Sequence, residues 1–161
     1  MKENYPHYDK LPNDEFISNE YLKVSEILAS KGMQHYEVSN FSKPGLESKH
    51  NLRYWESLTV GAIGPSATGF LNEDKIRYKW KTKSSEFDIE VLSEEEYQLE
   101  KIYMKLRTNL LLGSKEFEID DLILQKWSEL SYIKFVSVDK FQVTSQGFLM
   151  LDSMMGDLFK Q

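Results

Sequence analysis

At 161 residues, 40% hydrophobic and 13% aromatic, the chain has the composition of a folded protein of one or two domains. Its net charge of −6 argues against general affinity for nucleic acid, which depends on neutralising phosphates. The absence of cysteine excludes disulfides, thiolate zinc sites, a cysteine nucleophile and any iron–sulfur cluster held by this sequence. No apolar run approaches the roughly 20 residues that span a bilayer. The N-terminal Met1–Pro6 lacks the apolar centre of a signal peptide, so a cytoplasmic protein without a membrane span is expected. The charge is uneven: residues 42–83 hold eight basic and four acidic groups, a balance suited to an anionic small ligand or simply to a solvated surface.

Asn13 is a suitable N-cap for a helix over residues 13–31, with Asp14 and Glu15 at its positive end. Ile17, Tyr21, Val24 and Leu28 recur on one face, and Gly32 is placed to end it. His35 to Ser39 alternates polar and apolar as a strand does, Phe41 follows, and Ser42-Lys43-Pro44-Gly45 is a turn signal. A helix feeding one strand is half of a β/α repeat, so this region reads as the last unit of something larger. Leu58 to Phe70 is rich in small residues. Ile76 to Trp80 reads as a short strand, and the acidic stretch Lys81 to Leu92 as a connection.

Ser93 and Glu96 form a capping box, opening a helix whose face carries Leu99, Ile102, Tyr103, Leu106 and Leu110, with Gly113 as its stop. A second helix is predicted by Ile119, Leu122, Ile123, Trp127 and Leu130. Ile133–Val138 and Phe141–Thr144, joined by Asp139-Lys140, read as a β-hairpin. Thr144 or Ser145 caps a last helix with Phe148, Leu151, Met155 and Leu158 on one face. This order is close to a winged-helix arrangement. Its acidic surroundings disfavour DNA, and a packing or lid module is the better use of the shape.

Two clusters carry chemistry. In His50-Asn51-Leu52-Arg53-Tyr54-Trp55, a neutral imidazole is a good axial ligand for haem iron, and the aromatic rings offer flat faces to a macrocycle. Lys49 and Arg53 suit porphyrin propionates, although a histidine beside aromatics also serves purely structural roles. His7 and His35 are too distant in sequence to form a metal site with His50 by spacing. The second cluster, Gly61-Ala62-Ile63-Gly64-Pro65-Ser66-Ala67-Thr68-Gly69, allows a ligand or a neighbouring strand to approach the backbone closely. It lacks the lysine and hydroxyl residue that close a P-loop.

These blocks, with Tyr36-Glu37-Val38-Ser39-Asn40-Phe41 ahead of them, run in the order seen in the oxygen-independent coproporphyrinogen III oxidase family of radical S-adenosylmethionine proteins. The sequence resembles that family from about Leu11 onward, and the His-Asn-x-x-Tyr-Trp block resembles its haem-chaperone branch. The resemblance implies an α+β fold: a terminal helix–strand piece of a radical S-adenosylmethionine (β/α) barrel with its extension (1–83), a linker (84–92) and a winged-helix-like C-terminal domain (93–161). It implies haem or a porphyrin as ligand, contacted by His50, Asn51, Tyr54 and Trp55, with His50 on the iron and Lys49 and Arg53 near the propionates. Gly61, Gly64, Pro65 and Ser66 form the small-residue loop. A haem-acceptor protein is the expected partner.

The family's 4Fe–4S cluster and S-adenosylmethionine belong to a full-length parent. The Cys-x-x-x-Cys-x-x-Cys segment that holds the cluster does not occur in this sequence, which therefore reads as a C-terminal fragment with no catalytic residue and no radical chemistry of its own. Thr68 and Gly69 also stand where the family has His-Ser. The alternatives are a fragment of an oxidase that decarboxylates porphyrinogen propionates, and a winged-helix interaction module.

Overall fold

The computed structural model describes residues 11–159; Met1–Pro6 and His7 lie outside the described residues. The chain begins with α1 (Asp14–Ser30), where the Asn13 side chain accepts the Phe16 N–H at 2.8 Å. At its end the N–H groups of Gly32 and Met33 bond the carbonyls of Ala29 and Leu28, a Schellman closure that needs the positive φ of 75° at Gly32. The apolar stripe is only half used. Tyr21 and Leu28 are half-buried, whereas Ile17 and Val24 stay exposed together with Phe16 and Ile27, because α1 packs only along the side that meets β1 and α5.

The single strand expected after α1 is instead a hairpin, β1 (Gln34–Glu37) and β2 (Asn40–Ser42), reversing at Val38-Ser39. The cause is Glu37, which is 1% exposed. Its carboxylate accepts the Ser39 N–H at 3.2 Å and the Asn40 side-chain amide, clamping the turn. Val38 N–H to Arg107 carbonyl (2.8 Å) and Asn109 N–H to Tyr36 carbonyl (2.9 Å) then tie this hairpin to the segment after the third helix.

Next comes α2 (Lys49–Trp55), followed by a three-stranded antiparallel sheet of β3 (Thr68–Leu71), β4 (Ile76–Trp80) and β5 (Phe87–Val91). The expected acidic linker is thus largely strand: Phe87, Ile89 and Val91 pair with Trp80, Tyr78 and Ile76 along one face. The alternate residues Glu90 and Glu86 pair with Arg77 (2.7 Å) and Lys81 (3.1 Å).

The rest is α3 (Glu94–Lys105), β6 (Leu112–Gly113), α4 (Asp121–Glu129), β7 (Ile133–Ser137), β8 (Lys140–Val143), α5 (Ser145–Leu149) and α6 (Leu151–Leu158). Both arms of the capping box are present at Ser93 and Glu96. The helix ends well before Gly113, because the fully buried Thr108 bonds back to the Lys105 carbonyl at 2.9 Å; Leu110 and Gly113 lie beyond it. In α4 the inward residues are Leu124 and Trp127, and Leu122 points outward at 76% exposure. The hairpin turns at Val138-Asp139, one residue earlier than its sequence suggests. Thr144 caps α5, but the last helix is broken at Met150.

The sheet order β6-β8-β7 closes one core in which Ile102, Leu106, Trp127, Phe141 and Met154 meet. Every residue of that core cluster falls between Ile102 and Met155, and Tyr21 and Val38 pack on it from the N-terminal region.

Candidate functional site

Helix α2 carries the histidine–aromatic block. The Ser48 side chain accepts the Asn51 N–H at 3.3 Å and donates to the Asn51 Oδ1 at 3.2 Å, so cap and residue hold each other. At about 100° per residue the helix has two sides. Lys49, Arg53, His50 and Tyr54 follow one another around the open side, all exposed. Asn51, Trp55 and Leu52 fill the other side and are half-buried.

The six residues singled out by sequence therefore separate. Tyr54 stands against Trp55 edge-on at 5.5 Å, and the Trp55 ring faces inward, 5.8 Å from the Arg107 guanidinium. That guanidinium lies 3.6 Å from the Tyr103 ring centroid and donates to its hydroxyl. Trp55 thus fastens α2 to the end of α3 through a stacked cation. Arg53 donates to the Thr59 carbonyl at 3.0 Å.

The small-residue loop is held by β4. Ala62 gives its N–H to the Tyr78 hydroxyl at 2.8 Å, and its carbonyl takes the Trp80 indole N–H at 2.8 Å. Gly69 lies directly under the Tyr78 ring, where an added Cβ would sit 2.3 Å from a ring carbon. The residue that departs from the family pattern therefore has a packing role. Around Gly61 and Gly64 there is open space, and Gly64 has a φ of 113° that calls for glycine. Pro65 and Ser66 are exposed, with the Ser66 hydroxyl 2.8 Å from that of Thr82.

Beside Tyr54 an open groove of about 490 Å³ runs between α2, α3, β4 and the end of α6, lined by Leu99, Tyr103, Met104, Met155 and Phe159 together with Arg77 and Glu100. Its size falls within the range of small-molecule sites. Sequence reasoning missed it because its walls come from residues far apart along the chain.

No family model matches the sequence. The "Heme chaperone HemW" of Lactococcus lactis subsp. lactis is 32% identical over 155 residues, covering 86% of this chain and 41% of that protein. The protein of the same name from Bacillus subtilis is 39% identical over 61 residues, 38% of this chain and 16% of that one. The chain belongs to the haem-chaperone branch of the coproporphyrinogen oxidase-like radical S-adenosylmethionine family.

It spans about two-fifths of the length of the Lactococcus relative (41%). The fold agrees with that family. Escherichia coli coproporphyrinogen III oxidase, described as a radical SAM enzyme, superposes with a TM-score of 0.59 at 13% identity, over 91% of this chain and 41% of that one. The family's iron–sulfur cluster does not fit the residues present, since no thiolate is available anywhere in the sequence. Among the described residues no three His, Cys, Asp or Glu side chains gather into a metal site.

The family's Tyr-Glu-Val-Ser-Asn-Phe block also brings His35 into a structural role. Tyr21 donates its only hydroxyl proton to the Val38 carbonyl at 2.7 Å, so the contact of 3.1 Å with His35 Nε2 requires the imidazole to donate there. Nδ1 then accepts from Ser145 Oγ at 2.9 Å, and Ser25 donates to Ser145 at 2.6 Å. The ring stacks on Phe41 at 4.1 Å and meets Phe148 edge-on at 4.9 Å. This chain of bonds joins α1 and β1 to α5 and uses a neutral imidazole.

Burial pushes the His35 pKa below its ordinary 6.5, against the opposing pull of the Val38 carbonyl and the Glu37 carboxylate. Burial, with Glu37 adding to it, also pushes the Tyr21 phenol up, keeping it a neutral donor. Because the unfolded chain then binds a proton more readily than the folded one, stability is complete above pH 6.5 and falls as the pH drops below it. The melting temperature of the wild type is expected to decline across that window more steeply than that of His35→Gln. Parallel declines in the two proteins would remove His35 from this role.

Proposed function

We propose that the chain is the C-terminal part of a haem chaperone, and that haem docks on the open side of α2. The observation that carries this reading is the sharing of one solvent-facing arc by Lys49, Arg53, His50 and Tyr54. His35, by contrast, is half-buried and hydrogen-bonded at both ring nitrogens. His50 is exposed and is available as an iron ligand. Arg53 and Lys49 meet the propionates, Tyr54 gives a ring face to the macrocycle, and Asn51 and Trp55 support the helix from behind. Relatives named as haem chaperones support the ligand class. Haem is cargo here, passed to an acceptor protein in the cytoplasm.

Residues 93–161 serve as a winged-helix-type packing module. The order helix, short strand, helix and hairpin, with β6 beside β8, supports that description. Nucleic acid is a poor partner for it. Asp121 and Glu129 are exposed on α4, with Asp120 as its cap, where a recognition helix needs cations. Residues 11–83, with β5 completing their sheet, provide the end of the barrel and its extension. Among the described residues no helix is long and apolar enough to cross a membrane.

Haemin titration of the 161-residue chain tests the reading. Saturable binding with a Soret band is expected, and His50→Ala is expected to weaken it by about ten-fold or more, ~1.4 kcal/mol. Wild-type protein that leaves the haemin spectrum unaltered would refute the proposal.

A further inference from the structure

The α2 arc has a direction that the haem reading by itself does not use. Around the helix the sequence is Lys49, Arg53, His50, Tyr54, so two cations stand on one flank and an aromatic ring on the other, with the imidazole between them. Beyond Tyr54 lies the groove of about 490 Å³. Leu99, Tyr54 and Phe159 are exposed at its rim, while Met155 is nearly enclosed. Met104 and Met155 offer polarizable thioethers that adapt to a flat ligand, and Tyr54 and Tyr103 offer rings. The two charged side chains that line it, Arg77 and Glu100, are bonded to one another, and Arg77 also holds Glu90 at 2.7 Å. Neither is left to attract a carboxylate, and a carboxylate driven into the groove would lose its water without a partner.

We infer that this groove seats the apolar edge of the tetrapyrrole, fixing the ring so that its centre faces His50 and its propionates lie over Arg53 and Lys49. The inference rests on the haem reading and adds to it an orientation and a second set of contacts. The ring is gripped by the groove whether or not it carries iron. The imidazole contributes only when iron is present. A tetrapyrrole entering the other way round would put its carboxylates against Glu100 and its methyl-bearing edge against two cations, which charge complementarity opposes.

Metal-free protoporphyrin IX separates the groove from the iron ligand. Binding of protoporphyrin IX and of haemin to the full 161-residue chain is measured by fluorescence and absorbance for wild type, His50→Ala, Leu99→Glu, Phe159→Glu and the distant surface control Val138→Glu. Leu99, Phe159 and Val138 are exposed, so these variants are expected to keep wild-type melting curves. Leu99→Glu and Phe159→Glu should each weaken protoporphyrin IX by about ten-fold, ~1.4 kcal/mol. His50→Ala and Val138→Glu should leave it within about two-fold, ~0.4 kcal/mol. Unchanged porphyrin affinity in both groove variants, with haemin still bound in a His50-dependent way, overturns the groove and spares the haem reading. Failure of wild type to bind haemin at all overturns both.

Discussion

Trp127→Ala is expected to destabilise the protein by about 3–5 kcal/mol, the largest loss available from a single side chain here. Trp127 is 0% exposed and lies on α4 against the core formed with Leu106, Phe141 and Met154. Its indole N–H also donates to Asp157 Oδ2 at 3.0 Å, while Lys126 donates to Oδ1 at 2.6 Å, so α4 and α6 are joined by apolar contact and by a shared carboxylate. Truncation opens a cavity that neighbours on two helices and a sheet cannot close, and removes a hydrogen-bond donor from the half-buried Asp157. Trp127→Phe keeps most of the ring and should lose clearly less. Urea denaturation of the two variants checks this. A shift below about 1 kcal/mol for the alanine variant would mean that the core is not centred there.

The second large effect is expected at Glu37. Its carboxylate is 1% exposed and accepts from the Ser39 N–H at 3.2 Å and from the Asn40 amide. Glu37→Ala removes the acceptor that both donors share and leaves a void where the carboxylate is buried, which together cost about 2–3 kcal/mol. The damage should be local. β1 is tied to the segment after α3 through the N–H groups of Val38 and Asn109, at 2.8 and 2.9 Å. Hydrogen exchange of those two amides is expected to accelerate more than exchange in α4 or β8. Uniform acceleration, or none, would show that Glu37 does not hold the turn.

Local chemistry was the most legible part of this fold. Asn13, Ser93 and Thr144 cap the helices that their sequence context predicts, and Gly32 closes α1. The hidden features depend on tertiary partners. His35-Tyr36-Glu37-Val38 alternates like an unbroken strand, but the buried Glu37 side chain clamps a turn there. Phe87-Asp88-Ile89-Glu90-Val91 has strand alternation too, but its acidic residues suggested a connection until Arg77 and Lys81 met Glu90 and Glu86. Leu106 and Leu110 preserve helical spacing across a stop made by the Thr108 hydroxyl.

The site divides in the same way. The α2 block was visible as residue types, and helical geometry sorts it into an exposed arc and a supporting side. The groove was not visible, because Tyr54, Leu99 and Met155 meet only after folding. His35, which shares a residue type with His50, illustrates the difference that environment makes: it is bonded at both nitrogens and stacked, and that leaves it no lone pair for iron.

In the proposed function the imidazole on the open side of α2 is an iron ligand. Chemical rescue tests it most directly. Haemin bound to His50→Ala should show a Soret band displaced from that of the wild type, and free imidazole at millimolar concentration should return it to the wild-type position by filling the place of the lost side chain. A Soret band identical in wild type and His50→Ala, and indifferent to imidazole, would contradict the account.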